Sequence, residues 1–220
     1  MKPFYQESGI QIYHGDCREI LPVVSSGAGV LLTDPPYGLG YDASHEKYKN
    51  GVNRGTAGWD SEAFSPHHLV ELGLPSIIWG ANCFASRLPD YPGWLCWVKT
   101  ARNDADIRQA DMELAWTNFI RRPRTFRHLW VGAYRASESG LRNWHPTQKP
   151  EALMKWCIGL MPNGIVLDPY MGSGTTLRAA KDLGRGAIGI EVEERYCEIA
   201  ARRLRQEVFS FEPVTKGGGL

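Results

Sequence analysis

Along most of this chain, short apolar runs stop at a polar or Gly-rich turn and give way to a helical pattern. Buried parallel strands and their crossover helices read this way, so the rhythm predicts an open α/β sheet with helices on both faces. Strands are expected over residues 11–14, 29–33, 76–79, 165–167 and 187–190, with 95–99 and 112–116 as a pair. Helices are expected over 151–161, over 175–183 with Gly184 as its cap, and over 193–206, where Tyr196, Ile199, Ala200 and Leu204 recur at helical spacing. Ser65 and Pro66 read as an N-cap and first-turn pair for a helix reaching residue 72.

The remaining segments bound the architecture. At 220 residues the chain reads as a single domain, 1–220. Residues 38–60 and 118–144 lack the rhythm, and long loops in a compact domain tend to carry function. Residues 212–220 read as a flexible tail. No run approaches the roughly 18 to 20 apolar residues of a membrane span, and the start MKPFYQESGIQ lacks a signal-like apolar stretch, so a cytoplasmic location is expected. Five scattered cysteines with no CxxC pair give no reason to expect a metal. The formal charge is only +1, but residues 118–142 hold Arg121, Arg122, Arg124, Arg127, Arg135 and Arg142 against the one acid Glu138, locally +5. Phe119, Phe126, Trp130 and Tyr134 are interleaved with them. Such a mixture suits a nucleic-acid backbone and its bases, although a solvated arginine face has the same composition.

Three constellations carry chemistry. First, Asp168 ends a strand and Pro169-Tyr170-Met171 leads into Gly172-Ser173-Gly174, which opens a helix at Thr175. This brings bare backbone against a ligand at the carboxyl end of a sheet, without the lysine of a polyphosphate loop. Alone, it is equally a tight strand-to-helix turn. Glu191, at the end of the next strand, stands where an acid can accept from both hydroxyls of a ribose. Second, Asp34-Pro35-Pro36-Tyr37 closes the apolar strand near residues 30–33. Two prolines fix the backbone, so the Asp34 carboxylate and the Pro35 carbonyl can be held as acceptors in one plane. Paired acceptors suit an exocyclic amine: they draw on its hydrogens and localise its lone pair. Tyr37 can stack on a base extruded from a duplex. Third, His145 to Pro150 read HPTQKP.

Together these residues resemble the amino-type DNA methyltransferases that use S-adenosylmethionine, whose catalytic motif is DPPY and whose cofactor motif is DPFxGSGTT, here DPYMGSGTT. The order, with the catalytic motif first and the cofactor turn last, is similar to the circularly permuted, or beta, class. The likeness runs through nearly the whole chain. It implies a single Rossmann-like methyltransferase sheet, circularly permuted, with residues 118–144 as a short target-recognition insertion and 38–60 as the catalytic-site loop. It assigns Asp168, Tyr170, Gly172, Ser173, Gly174 and Thr175 to the cofactor, Glu191 to its ribose, and Asp16 of the Gly15-Asp16 pair to its adenine. Thr147 and Lys149 are assigned to its carboxylate; read alone, Lys149 is a surface lysine near a helix start. Tyr170 departs from the family's Phe and brings a hydroxyl that needs a partner.

The activity implied is site-specific methylation of double-stranded DNA, of the restriction–modification kind, on the N6 amine of a flipped adenine. Cytosine N4 is the alternative, since the same acceptors serve either amine, and a non-catalytic S-adenosylmethionine- and DNA-binding subunit is a further one. Attack on a sulfonium methyl needs no covalent enzyme intermediate, so positioning and electrostatics do the work. Lys47, Lys49 and Arg54 would meet DNA from the catalytic-site loop, and the six arginines named above from the recognition segment. A homodimer is one form in which so short a chain could grip a duplex.

Overall fold

The computed structural model describes residues 1–38, 63–100, 110–131, 134–138, 140, 144 and 147–206. The chain opens with the antiparallel pair β1 (Tyr5–Glu7) and β2 (Ile10–His14), then α1 (Cys17–Val24) and β3 (Val30–Thr33). A short α2 (His67–Val70) precedes β4 (Ser76–Trp79), and β5 (Trp94–Val98) and β6 (Met112–Thr117) pair antiparallel. Next come β7 (Arg124–Arg127) and the small ribbon of β8 (Trp130–Val131) and β9 (Tyr134–Arg135). Last are α3 (Glu151–Leu160), β10 (Val166–Asp168), α4 (Thr175–Asp182), β11 (Ala187–Glu191) and α5 (Glu194–Arg205).

Among the described residues, nine strands form one sheet in the order β1-β2-β11-β10-β3-β4-β6-β5-β7. The five from β2 to β4 are mutually parallel, while β6 runs against β4. Period-two alternation divides the core between the two faces. Val30, Leu32, Ile77 and Trp79 face α3, α4 and α5 through Leu153, Cys157, Leu177, Ala180, Ala200 and Leu204. Leu31, Ile78, Leu167 and Ile190 face α1 and α2 through Ile20, Leu21 and Leu69. All four residues of β3 are buried, as a central parallel strand requires.

Strand order reverses between β10 and β3: from β10 the chain proceeds to β11 on one side, and from β3 to β4 on the other. In an open α/β sheet the crevice beyond the strand ends at such a point is where ligands bind. Because β6 is antiparallel, its first residues reach the same edge, which brings Glu113 beside the ends of β3 and β4.

Three expectations need correction. The helix after Ser65 starts at His67 and has four residues. Pro66, not Ser65, holds the cap position; it makes no side-chain cap bond, and its carbonyl accepts from Leu69 and Val70. Residues 118–144 are not without regular structure, since β7 extends the sheet as an edge strand paired parallel to β5. Its sequence RTFR exposes both arginines and turns only Phe126 inward, so it has no apolar run to read. Strand β1 was not anticipated either.

Candidate active site

At the end of β10, Asp168 is buried and accepts from the Thr33 hydroxyl at 2.7 Å and from the Tyr170 N–H at 3.2 Å. Burial raises its pKa to about 6, against the hydrogen bonds that favour the charge. Nineteen residues beyond Gly172, the Glu191 carboxylate accepts from the N–H of Gly172 and of Glu193, both at 2.9 Å, so it is fixed by backbone alone. Burial raises its pKa as well. Gly174 sits at φ +81°, and a Cβ there would lie 2.7 Å from that of Ala200, so the turn and its approach to α5 both require glycine.

The turn is also held from behind. Arg203 of α5 is buried and donates to the Ser173 carbonyl at 2.7 Å and to the Ser173 hydroxyl at 3.1 Å, with Thr175 at 3.4 Å. Its other nitrogen donates to Glu151 at the start of α3. Arg203 belongs to no motif; what marks it in the sequence is an arginine on the face of α5 that carries Ala200 and Leu204. The Tyr170 hydroxyl does find a partner, His68 Nε2 at 2.9 Å, and Phe64 packs edge-on against the ring at 5.6 Å. Asp16 caps α1 through the Arg18 N–H and pairs with the exposed Arg18 side chain at 2.6 Å, which holds its carboxyl below the usual range.

Across the crevice the acids have a different setting. Lys149 is no surface lysine: with its side chain 6% exposed, it donates to Asp34 at 2.5 Å, to Glu113 at 3.1 Å and to the Tyr37 oxygen at 3.0 Å. HPTQKP and DPPY, 115 residues apart, thus meet in one ion pair. The Tyr37 hydroxyl donates to the other Asp34 oxygen at 2.6 Å. Glu113 is further held by Lys99 at 2.7 Å. Burial pushes Asp34 up despite Lys149. Burial pushes Glu113 up too, but two ammonium groups prevail and bring it down to about 2. Lys149 is raised, its two carboxylates outweighing desolvation. The Tyr37 ring lies on Gly80, at φ +70° after β4, where any Cβ would collide with it. Glu113, Lys99 and Gly80 were not foreseen from the sequence.

A cavity of about 890 Å³ joins the two settings, lined by Asp16, Asp34, Tyr37, Lys149, Asp168 and Glu191. Pro35, Pro36, Thr147, Tyr170, Gly172, Ser173 and Thr175 also reach it. Among the described residues, the predicted DNA contacts are elsewhere. Arg121, Arg122, Arg124 and Arg127 are exposed on and before the edge strand β7, and Arg135 lies 4.6 Å over the ring of Trp130. Lys47, Lys49, Arg54 and Arg142 lie outside the described residues, as do His145 and Pro146.

A family model described as DNA methylase, of the N6/N4 type, matches residues 95–202. The chain is 45% identical to the type II methyltransferase M.HpaI of Haemophilus parainfluenzae, over 84% of its own length and 70% of that protein. It resembles the crystal structure of the M1.HpyAVI–SAM complex with a TM-score of 0.56 at 28% identity, covering 90% of this chain and 100% of that one. It shares its fold with the cytosine-N4-specific PvuII DNA methyltransferase, TM-score 0.63 at 17% identity, over 95% and 91% of the two chains. With a catalytic-type strand end and a glycine-rich turn opening on one cavity, and relatives of this kind over most of its length, the chain belongs to the N6/N4 family of DNA methylases.

Proposed function

We propose that this protein methylates the N6 amine of adenine in double-stranded DNA, with S-adenosylmethionine as donor. The observation that carries the reading is the single cavity in which Asp34 of DPPY faces the Gly172 turn across the β10–β3 junction. The donor set fits the cofactor. Glu191 is held by backbone N–H groups where it would accept from ribose hydroxyls, and Asp16, Asp168, Tyr170, Gly172 and Ser173 line the cavity where the rest would lie, on a turn that Gly174 completes. S-adenosylmethionine supplies a methyl group already electrophilic on its sulfonium. The chain's own part is to position the amine: Asp34 and the Pro35 carbonyl accept its hydrogens, Pro36 braces that edge, and Tyr37 offers a ring to the base. Thr147 lies in the same cavity and would meet the cofactor's carboxylate end.

Among the described residues, the last two strands, β10 and β11, lie between β2 and β3, which supports the circularly permuted, beta-class order. Asp in the first position of DPPY supports adenine over cytosine. The exposed arginines of the β7 edge supply charge for phosphates, and the whole chain reads as one methyltransferase domain. Asp34→Ala tests the catalytic assignment: methyl transfer should fall at least 1,000-fold (~4 kcal/mol), with cofactor affinity within threefold of the parent. Mass analysis of nucleosides from methylated DNA decides the base, and methylcytosine without methyladenine would overturn the choice of adenine.

A further inference from the structure

Asp34 has a problem of occupancy. One carboxylate oxygen takes the Tyr37 hydroxyl at 2.6 Å and the other takes Lys149 at 2.5 Å. An exocyclic amine that binds Asp34 must compete with both. A buried hydroxyl or ammonium that loses its partner without gaining another incurs the full desolvation penalty, so the exchange is slow unless a second acceptor stands ready.

Glu113 stands there. It comes from β6, the antiparallel strand whose start reaches the catalytic edge, and belongs to none of the three motifs. Its Oε2 is 3.1 Å from Lys149 and 3.4 Å from the Tyr37 hydroxyl, beyond a good hydrogen bond but within a small rotation of one. Lys99 holds its Oε1 at 2.7 Å and so fixes the carboxylate from behind. The two acids and two lysines sum to zero charge, which makes the cluster tolerable with side chains only 6% to 20% exposed. Gly80 beneath the Tyr37 ring leaves the tyrosine room to lie flat.

Building on the reading of Asp34 as the amine acceptor, we propose that Glu113 is a positioning residue, the standby acceptor that frees Asp34. When the amine binds Asp34, the Tyr37 O–H turns its hydrogen bond to Glu113 Oε2, and Lys149 keeps its contact with the same carboxylate. No covalent bond changes in this step. The low pKa of Glu113 keeps it an acceptor across the working range.

The test is single-turnover methylation of random-sequence duplex DNA at saturating S-adenosylmethionine, with cofactor affinity measured by calorimetry. Glu113→Gln should slow methyl transfer at least fivefold with cofactor affinity within threefold. Tyr37→Phe removes the hydroxyl that competes for Asp34, so relative to its effect on the parent it should raise the rate of Glu113→Gln at least threefold, because glutamine's one acceptor oxygen is taken by Lys99 and its NH2 cannot accept from Tyr37. Glu113→Asp retains the charge both lysines need while withdrawing the oxygen, so it should slow transfer with the melting temperature unchanged, and it decides the matter if the glutamine variant does not fold. Rates within fivefold of the parent, equal Tyr37→Phe effects in both backgrounds, or a parallel loss of cofactor affinity would each overturn the proposal. A fully active Asp34→Ala would instead overturn the reading of the site on which it rests.

Discussion

The two walls of the crevice hold their acids by different means. On the β10–β11 side, Asp168 and Glu191 are fixed by neutral dipoles, the backbone N–H groups of Tyr170, Gly172 and Glu193 and the Thr33 hydroxyl from the end of β3. On the β3–β6 side, Asp34 and Glu113 are fixed by two lysines from distant parts of the chain. The first arrangement leaves acceptor capacity facing the cavity and suits a ligand that donates hydroxyls. The second has every acceptor engaged and suits an exchange of partners. A wall built from dipoles should tolerate loss of charge, and one built from paired ions should not.

The sharpest way to break the second wall is Lys149→Met. It leaves two carboxylates facing each other, and loss of one partner from a buried ion pair costs about 3–5 kcal/mol. The melting temperature should fall by about 10 °C, at the ~2–4 °C per kcal/mol expected for a chain of this size. Sign follows from linkage. In the parent, Lys149 has a raised pKa, so its contribution is complete below the ordinary lysine range and is lost only as pH rises through the higher folded value. In the variant the damage belongs to Asp34, which burial already pushes up. Protonation of Asp34 relieves the repulsion, so the deficit should be smaller at pH 5 than at pH 8. A deficit independent of pH would show that the two acids do not sense each other.

The contrast also explains what could be read from the sequence. The Gly172 turn, Asp168 and Glu191 lie on one β-α-β unit and are held mainly by its own backbone N–H groups, so motif and geometry largely coincide; the Thr33 hydroxyl, which reaches Asp168 from β3, was no more legible than a distant lysine. DPPY was legible for the same reason. The joining of Lys149 to Asp34 was not, because ionic contacts across 115 residues leave no periodic trace. Glu113 in MELAWT reads as an ordinary polar position of a strand. Only the antiparallel insertion of β6 beside β4 brings it to the catalytic edge. Strand β7 escaped notice because an edge strand of arginine and threonine needs one inward residue, Phe126, and pattern reading asks for alternation over more.

The first wall is tested more gently by Asp168→Asn. The substitution keeps an oxygen for Thr33 and the Tyr170 N–H but removes the charge. Burial raises the Asp168 pKa to about 6, so in the parent this residue favours the fold below the unfolded carboxylate range and loses that contribution as pH rises through about 6. The difference is on the order of 2–3 kcal/mol. Thermal melts should therefore show a parent that loses stability between pH 4 and pH 6 from this group, and a variant in which that component is absent. An unchanged profile would mean that Asp168 is ionised at no cost.

The smallest effect belongs to Tyr170→Phe, which restores the residue usual in the family. The ring would keep its edge-on contact with Phe64 at 5.6 Å, and only the hydroxyl, paired with His68 Nε2 and more weakly with the Cys17 thiol, is removed. A single neutral hydrogen bond is worth about 1 kcal/mol net, and here the loss is partly offset because His68 is half-buried and can turn toward the cavity. Melting should drop by no more than about 3 °C, consistent with that 1 kcal/mol. Cofactor affinity should change by less than threefold, because what the ring supplies to the cavity is its face. A tenfold loss would mean that the hydroxyl, through His68, helps to shape the cofactor wall. The dipole-built side would then depend on a long-range polar pair just as the lysine-built side does, and the distinction between them would fail at that point.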